Sequence, residues 1–293
     1  MTELAKRVMT ALIGIPLFLL AMVGPPRSVM PEGSTWTVLV MLMALLGAVE
    51  MLTAVEQTYP EVRVNRLLAM LAVYLPFDAW LGVQQSVSLL PTTRLTAIGA
   101  VLVALAWEVW QAERQGKNSV WRNVGSGALI ALYLGVLFST WVSLRLVDTG
   151  CARGGWLSDG LRLVLLGCVS VWICDTSAYL VGKRLGRRRM SPLLSPRKSW
   201  EGAIAGVLFG TVGAVIASVW LGVPLLSAVV FGGCATAMGQ VGDLFESALK
   251  REMQRKDFGI LLPGHGGVMD RFDSLLFALP VLYVLSHFLP ICS

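Results

Sequence analysis

"GAIAGVLFGTVGAVIASVWL", residues 202–221, runs for twenty positions without a charged side chain. At 1.5 Å per residue a helix of that length covers about 30 Å, the hydrocarbon thickness of a bilayer. A helix also satisfies its own backbone N–H and C=O groups, which lipid cannot do, so the run reads as a membrane-crossing helix. Small residues recur at every fourth position, Gly202, Gly206, Gly210, Ala214 and Ser218. Such a stripe lets a second helix approach closely, and packing is its expected use.

Similar runs recur outward along the whole chain. The protein is 55% hydrophobic and 14% charged, with a mean hydropathy of +0.69. Nine spans are expected, near 8–24, 35–54, 66–84, 94–110, 123–144, 163–182, 202–221, 224–242 and 274–290. The expected fold is therefore all-α, a polytopic integral membrane helical bundle of about nine transmembrane helices with no soluble domain left over. Residues 1–122 form its N-terminal transmembrane helices. Residues 123–293 form a C-terminal region that carries the chemistry in two loops, 183–201 and 243–273. The first span follows Lys6 and Arg7 as a signal peptide would, yet "AMVGPP" (21–26) lacks a small-x-small cleavage pattern, so the span is expected to be retained.

Charge sets the orientation. Nineteen of the 24 Lys and Arg fall in the N-terminal segment and the alternate loops 55–66, 111–122, 183–201 and 243–273, against five (Arg27, Arg94, Arg145, Arg153, Arg162) on the other side. Basic residues are retained on the cytoplasmic face, which places the N-terminus inside and the C-terminus outside. Basic residues beside anionic headgroups account for the net charge of +6 without any nucleic-acid partner. The five cysteines have no metal-ligand spacing, and three lie inside spans as small apolar residues.

The loop after the eighth span is unlike its surroundings. "KDFGILLPGHGGVMDRFD", residues 256–273, packs charged residues, a histidine and four glycines into an otherwise apolar chain. Just before it, Asp243, Glu246, Ser247 and Lys250 stand at i, i+3, i+4 and i+7 and share one helical face. Asp270 and Asp273 are three apart at the start of the ninth span. Between the pairs, Gly259, Pro263, Gly264, Gly266 and Gly267 break regular structure and free backbone N–H groups for a ligand. Carboxylate pairs flanking a glycine-rich basic turn suit a metal and polyphosphate site, because Mg²⁺ takes oxygen ligands from one or two carboxylates and from substrate phosphates. Two pairs have room for a second cation. Asp243, Glu246, Asp270 and Asp273 are the candidate metal ligands, and Lys250, Arg251, Lys256 and Arg271 the candidate phosphate partners. A solvated loop anchoring helix ends is the simpler alternative; the ordered mixture of signs, glycines and His265 speaks against it.

The second loop begins inside the sixth span, "WICDTSAYLVGKRLGRRRMSPLLSPRKSWEG", residues 172–202. Asp175 lies eight residues before Lys183, about 12 Å down the helix. A carboxylate at that depth marks a site unless it is paired. Glu50, Asp78 and Glu108 are weaker instances, expected to be structural hydrogen-bond partners. The run Lys183, Arg184, Arg187, Arg188, Arg189 is first a positive-inside anchor. Pro196 keeps Ser195 extended, and Ser199 is a candidate N-cap with Glu201 in the following first turn.

These residues resemble a known family. "SALKREMQRKDFGILLPGHGGVMDRFD", 247–273, is similar to the signature of the phosphatidate cytidylyltransferases, or CDP-diglyceride synthases. Ser247, Leu249, Lys250, Arg251, Lys256, Asp257, Gly259, Pro263, His265, Gly266, Gly267, Asp270, Arg271 and Asp273 all stand where that pattern has them. The 175–202 block resembles the family's other motif, with Arg197 and Ser199 where Lys and Thr are frequent. The resemblance implies that CTP and phosphatidate are converted to CDP-diacylglycerol and pyrophosphate with Mg²⁺, that the chain forms a homodimer, and that Asp243, Asp270 and Asp273 are tied to metal. It implies substrate contacts at Asp175, Ser195, Lys198, Ser199, Ser247, Lys256, Asp257, His265, Gly266 and Gly267.

The chemistry suits such residues. A phosphate monoester has a second pKa near ~6, so the attacking oxygen of phosphatidate is already largely ionised at pH 7 and no general base is required. His265 is accordingly expected to order the turn or touch phosphate. Catalysis then rests on positioning and charge neutralisation. CTP is cytosolic and the acyl chains stay in the leaflet, so a polar funnel is expected between the sixth, eighth and ninth spans, with Asp175 on its wall, at the cytoplasmic face of a bacterial inner membrane. Two rivals are a transporter, since intramembrane acids mark ion paths, and a CTP-dependent enzyme acting on a polyprenol or ether-lipid phosphate.

Overall fold

The computed structural model describes residues 3–25, 29–84, 90–115, 120–150, 157–259 and 266–292. His265, Pro263, Gly264, Arg27 and Arg153, all singled out above, lie outside the described residues. The helices are α1 (Glu3–Val23), α2 (Ser34–Thr58), α3 (Arg66–Ala69), α4 (Leu71–Gln84), α5 (Leu90–Gln115), α6 (Val120–Ile130), α7 (Leu137–Arg145), α8 (Asp159–Leu185), α9 (Trp200–Leu221), α10 (Leu225–Glu252) and α11 (Met269–Leu285). A π-helical turn, Ala131–Val136, joins α6 to α7. The all-α class is as expected, and this is an integral membrane protein.

Among the described residues six segments are long and apolar enough to cross a membrane: Ser34–Thr58, Arg66–Gln84, Val120–Arg145, Asp159–Leu185, Trp200–Leu221 and Leu225–Glu252. The expected nine are not all matched. The described apolar part of α1 is Leu12–Val23, α5 carries Arg94, Glu108, Glu113 and Arg114, and α11 has 17 residues with Asp270, Arg271 and Asp273 at its start.

The chain packs as two compact units, residues 1–143 with 253–270, and residues 144–252 with 271–293. The expected division after residue 122 followed where the chemistry lies; packing groups the chain by which helices bury one another. In the first unit Trp36 of α2 is wholly buried. Its ring stacks on Trp141 at 6.1 Å between centroids, and its indole N–H donates to the Trp141 carbonyl at 3.1 Å. A buried indole needs such a partner. Glu108 is structural, as expected: its Oε1 accepts from Asn65 Nδ2 at 3.0 Å and its Oε2 from Asn123 Nδ2 at 3.1 Å. Asn65 in turn caps α3 by accepting the Leu68 N–H at 3.0 Å.

In the second unit α9 lies between α8 and α10. The small-residue stripe explains how. Gly202, Gly206, Gly210, Ala214 and Ser218 are all buried. A Cβ on Gly206 would sit 3.0 Å from Cys174 Sγ, and one on Gly210 would sit 2.5 Å from Thr236 Cγ2 and 2.7 Å from the Ser170 carbonyl. Backbone therefore meets side chain where a larger residue would separate the helices.

The loop between α8 and α9 is not irregular. It folds into a hairpin, β1 (Arg189–Ser191) with β2 (Ser195–Ser199), pairing Arg189 with Ser199 and Ser191 with Ser195 across a register shift. Extended geometry before Pro196 favours β2, and Ser199 ends the strand as the N-cap of α9, its Oγ accepting the Gly202 N–H at 3.2 Å. Glu201 ties the hairpin down, accepting the backbone N–H groups of Arg187 and Arg188 at 3.0 and 3.2 Å.

Candidate active site

A cavity of about 680 Å³ opens in the second unit between α8, the hairpin, α9, α10 and the part of α11 that belongs to this unit. Three carboxylates reach it from three helices: Asp175 from α8, Asp243 from α10 and Asp273 from α11. They interact electrostatically with one another. A funnel walled by the sixth, eighth and ninth spans, with Asp175 among its residues, is what the substrates of the resembled family led us to expect, and α8, α10 and α11 all line this cavity. The hairpin and α9 complete it, which spacing did not indicate.

Each acid is held differently. Asp243 faces Lys198 of β2, with 2.6 Å between Nζ and Oδ2, and the Ser247 hydroxyl lies 3.5 Å from its other oxygen. Asp175 stands opposite the Ser274 hydroxyl. Asp273 Oδ1 accepts the Ser274 N–H at 2.6 Å. Lys183, Arg189 and Arg197 also line the cavity, so three acids meet four basic side chains in one concave surface. That mixture suits a polyanion carried with a cation better than it suits an apolar ligand.

Of the other expected residues in this unit, Ser199 lines the cavity while capping α9. Ser195 opens β2. Glu246 and Lys250 pair with each other at 2.8 Å, one turn apart, and the Glu246 side chain is wholly buried. Neither is among the cavity-lining residues, nor are Ser247 and Arg251. Arg251 Nε donates to the Leu194 carbonyl at 3.2 Å, fastening the end of α10 to the hairpin tip. Arg271 is exposed.

Gln240 was missed. It lines the cavity and bridges two helices, its Nε2 donating to the Ala203 carbonyl at 2.8 Å and lying 3.4 Å from Cys174 Sγ. An uncharged amide inside an apolar span is the only signal it gives in the sequence. Arg189 and Arg197 also line the cavity, although the sequence marks the basic run first as a membrane anchor.

The remaining expected residues belong to the first unit. Lys256 and Asp257 are exposed, and Gly266 adopts a φ of 84°, which glycine reaches without strain. Asp270 is buried at the start of α11; its Oδ2 accepts the N–H of Phe258 at 3.0 Å and that of Gly267 at 2.8 Å. Glu50 of α2 accepts the N–H of Val268 at 2.9 Å and of Met269 at 3.1 Å. Here Glu50 is the structural partner the sequence suggested, and one of the backbone donors expected to face a ligand, the Gly267 N–H, is bonded to Asp270.

Among the described residues no group of three or more His, Cys, Asp or Glu side chains is placed to hold a metal ion. Asp175, Asp243 and Asp273 line one cavity without forming such a group, and carboxylates are the oxygen ligands a hard cation takes. Mg²⁺ keeps waters and substrate phosphates in its shell and needs only one or two protein carboxylates.

Sequence comparison identifies the family. The profile of the Cytidylyltransferase family matches residues 5–289. The chain is 38% identical over 192 residues to a Bacillus subtilis (strain 168) protein named phosphatidate cytidylyltransferase, covering 64% of this chain and 66% of that one. It is 39% identical over 136 residues to the protein of that name from Staphylococcus haemolyticus (strain JCSC1435) and 41% over 138 residues to that of Staphylococcus aureus (strain COL), each covering 44% of this chain and half of the relative. The matched stretches thus span half to just under two thirds of these curated relatives. With nearly its whole length inside the family profile, the chain belongs to the cytidylyltransferase family.

Proposed function

We propose that this protein transfers the cytidylyl group of CTP to phosphatidate, releasing pyrophosphate and leaving CDP-diacylglycerol. The observation that carries the reading is the cavity of the second unit, where Asp175, Asp243 and Asp273 face Lys198, Arg189 and Arg197. Family membership and the names of the relatives support it.

The lipid phosphate attacks with an oxygen that is largely ionised at neutral pH. A new bond forms to the α-phosphorus of CTP, the bond from that phosphorus to the bridging oxygen breaks, and the electron pair leaves with pyrophosphate. No side chain has to remove a proton, so the chain's task is to hold two anions together. Lys198, Arg189 and Arg197 neutralise phosphate oxygens as charge-assisted donors. Asp175, Asp243 and Asp273 are the residues that would hold Mg²⁺, and a second cation belongs to the same reading. Bound there, Mg²⁺ supplies the positive charge that lets anionic phosphates approach carboxylates.

The same reading puts the cavity at the cytoplasmic face of a bacterial inner membrane, supported by the excess of Lys and Arg in loops 183–201 and 243–273. A homodimer, and partners that include membrane lipid but no nucleic acid, belong to it as well. The purified protein is expected to release pyrophosphate from CTP only when phosphatidate is supplied. Release with a polyprenol or ether-lipid phosphate in its place would reassign the acceptor, and no release with any acceptor would end the enzymatic reading.

A further inference from the structure

The glycines of the 256–273 segment read naturally as a phosphate-binding turn, but two of them face something else. A Cβ on Gly259 would lie 2.5 Å from Glu50 Oε1, and a Cβ on Gly267 would lie 2.5 Å from Glu50 Oε2. These positions are small because a carboxylate from α2, more than two hundred residues away in sequence, fills the space. Glu50 is only 8% exposed, and the residues whose N–H groups it accepts, Val268 and Met269, are 5% and 2% exposed. These donors open α11, where the helix leaves its first N–H groups without internal partners and favours a negative charge. Buried donors of this kind are costly to leave unmet.

Asp270 completes the arrangement from inside the segment. Its single oxygen Oδ2 accepts from both Phe258 and Gly267, while Glu50 ties Val268 and Met269 to α2. Gly47, one helical turn earlier on α2, lets Met269 pack close, since a Cβ there would be 2.9 Å from its Sδ.

We propose that Glu50 is a positioning residue: its carboxylate clamps Gly267, Val268 and Met269 at the start of α11, and turnover depends on that clamp. The proposal rests on the cytidylyltransferase reading above, in which Asp273, carried by the helix that Met269 opens, takes part in the reaction. Glu50 touches no substrate in this account and acts through Gly267, Val268 and Met269. Glu50→Gln keeps the shape but replaces one acceptor by a donor, so one of the two N–H groups loses its partner.

The test uses the full-length purified protein with four variants: Glu50→Gln, Glu50→Ala, Gly267→Ala and the double variant Glu50→Ala/Gly267→Ala. Hydrogen exchange at residues 267–269 is expected to quicken by at least about tenfold in Glu50→Gln while helical circular dichroism stays as in the parent. Per folded molecule, kcat should fall by about tenfold to a hundredfold, with KM for CTP moving less than about twofold. Gly267→Ala should be harmful alone but add little in the Glu50→Ala background, because the added methyl then enters vacated space. Strict additivity of the two substitutions in thermal midpoint, or parental exchange and kcat in Glu50→Gln, would overturn the clamp. Gly267→Ala probes the contact without removing the buried acid, so the question stays decidable if a Glu50 variant does not fold. Should the parent chain itself show no turnover, the functional reading fails, while exchange and additivity still decide whether Glu50 holds the segment.

Discussion

Lys198 Nζ lies 2.6 Å from Asp243 Oδ2, so the hairpin strand β2 is bonded to helix α10 in the lining of the cavity. Both side chains are partly accessible, 25% and 31%, and an ion pair at that exposure contributes only about 0–1 kcal/mol to stability. Its value lies in charge placement. Lys198→Met is therefore expected to leave the thermal midpoint within a few degrees of the parent while lowering kcat/KM for CTP about a hundredfold, the scale for losing one donor to a reacting phosphate. Lys198→Arg, which keeps the charge, should recover part of it. Steady-state kinetics on both variants decide; an unchanged kcat/KM in Lys198→Met would remove Lys198 from the site.

Helix packing makes a separate prediction. Gly210 faces the Ser170 carbonyl and Thr236, and Gly210→Val has no room on either side. Overpacking of this kind costs about 1–3 kcal/mol. The thermal midpoint in detergent should fall accordingly, whereas Ile204→Val, on an exposed face of α9, should change it little. Equal midpoints for the two variants would show that the stripe does not set the spacing of α8, α9 and α10.

Glu246 separates a structural acid from a catalytic one. Its side chain is wholly buried against Lys250, and removing one member of a buried pair costs about 3–5 kcal/mol. Glu246→Ala should therefore unfold more readily than Asp243→Ala, yet retain more activity per folded molecule. Denaturation midpoints measured beside activity test this. If Glu246→Ala stays as stable as the parent and loses turnover, Glu246 belongs with the metal-binding acids instead.

Orientation is open to direct labelling. Leu193 at the hairpin tip is 89% exposed. A Leu193→Cys variant in a background without other cysteines should react with a membrane-impermeant maleimide in inverted vesicles and not in intact cells. Labelling in intact cells would invert the topology and place the cavity where cytosolic CTP does not reach.

Much of this was legible in the sequence because bilayer physics leaves few choices: uncharged runs such as 202–221 have to be helices. The N-cap at Ser199 and the wall position of Asp175 were equally readable, since capping and depth follow from residue type and spacing. What spacing could not show is which side chains meet across the fold. Gln240 gives no signal until α9 lies beside it, and Glu50 looks like any buried acid until α11 starts against it. Gly259 and Gly267 were read as ligand-facing because glycine freedom looks the same whether the space is filled by phosphate or by another part of the chain. Glu246, placed with Asp243 on one helical face, turned out to bond one turn onward to Lys250.

The central claim is that carboxylates in the second unit's cavity hold the cation that brings CTP and a lipid phosphate together. It is tested by following pyrophosphate release from CTP and phosphatidate at graded Mg²⁺ concentrations for the parent, Asp243→Asn and Asp273→Asn. The expected result is release by the parent that stops with chelator and returns with Mg²⁺, and a loss of at least about a thousandfold in both variants with the chains still inserted and helical. Parental rates in either variant, or release that persists in chelator, would contradict the account.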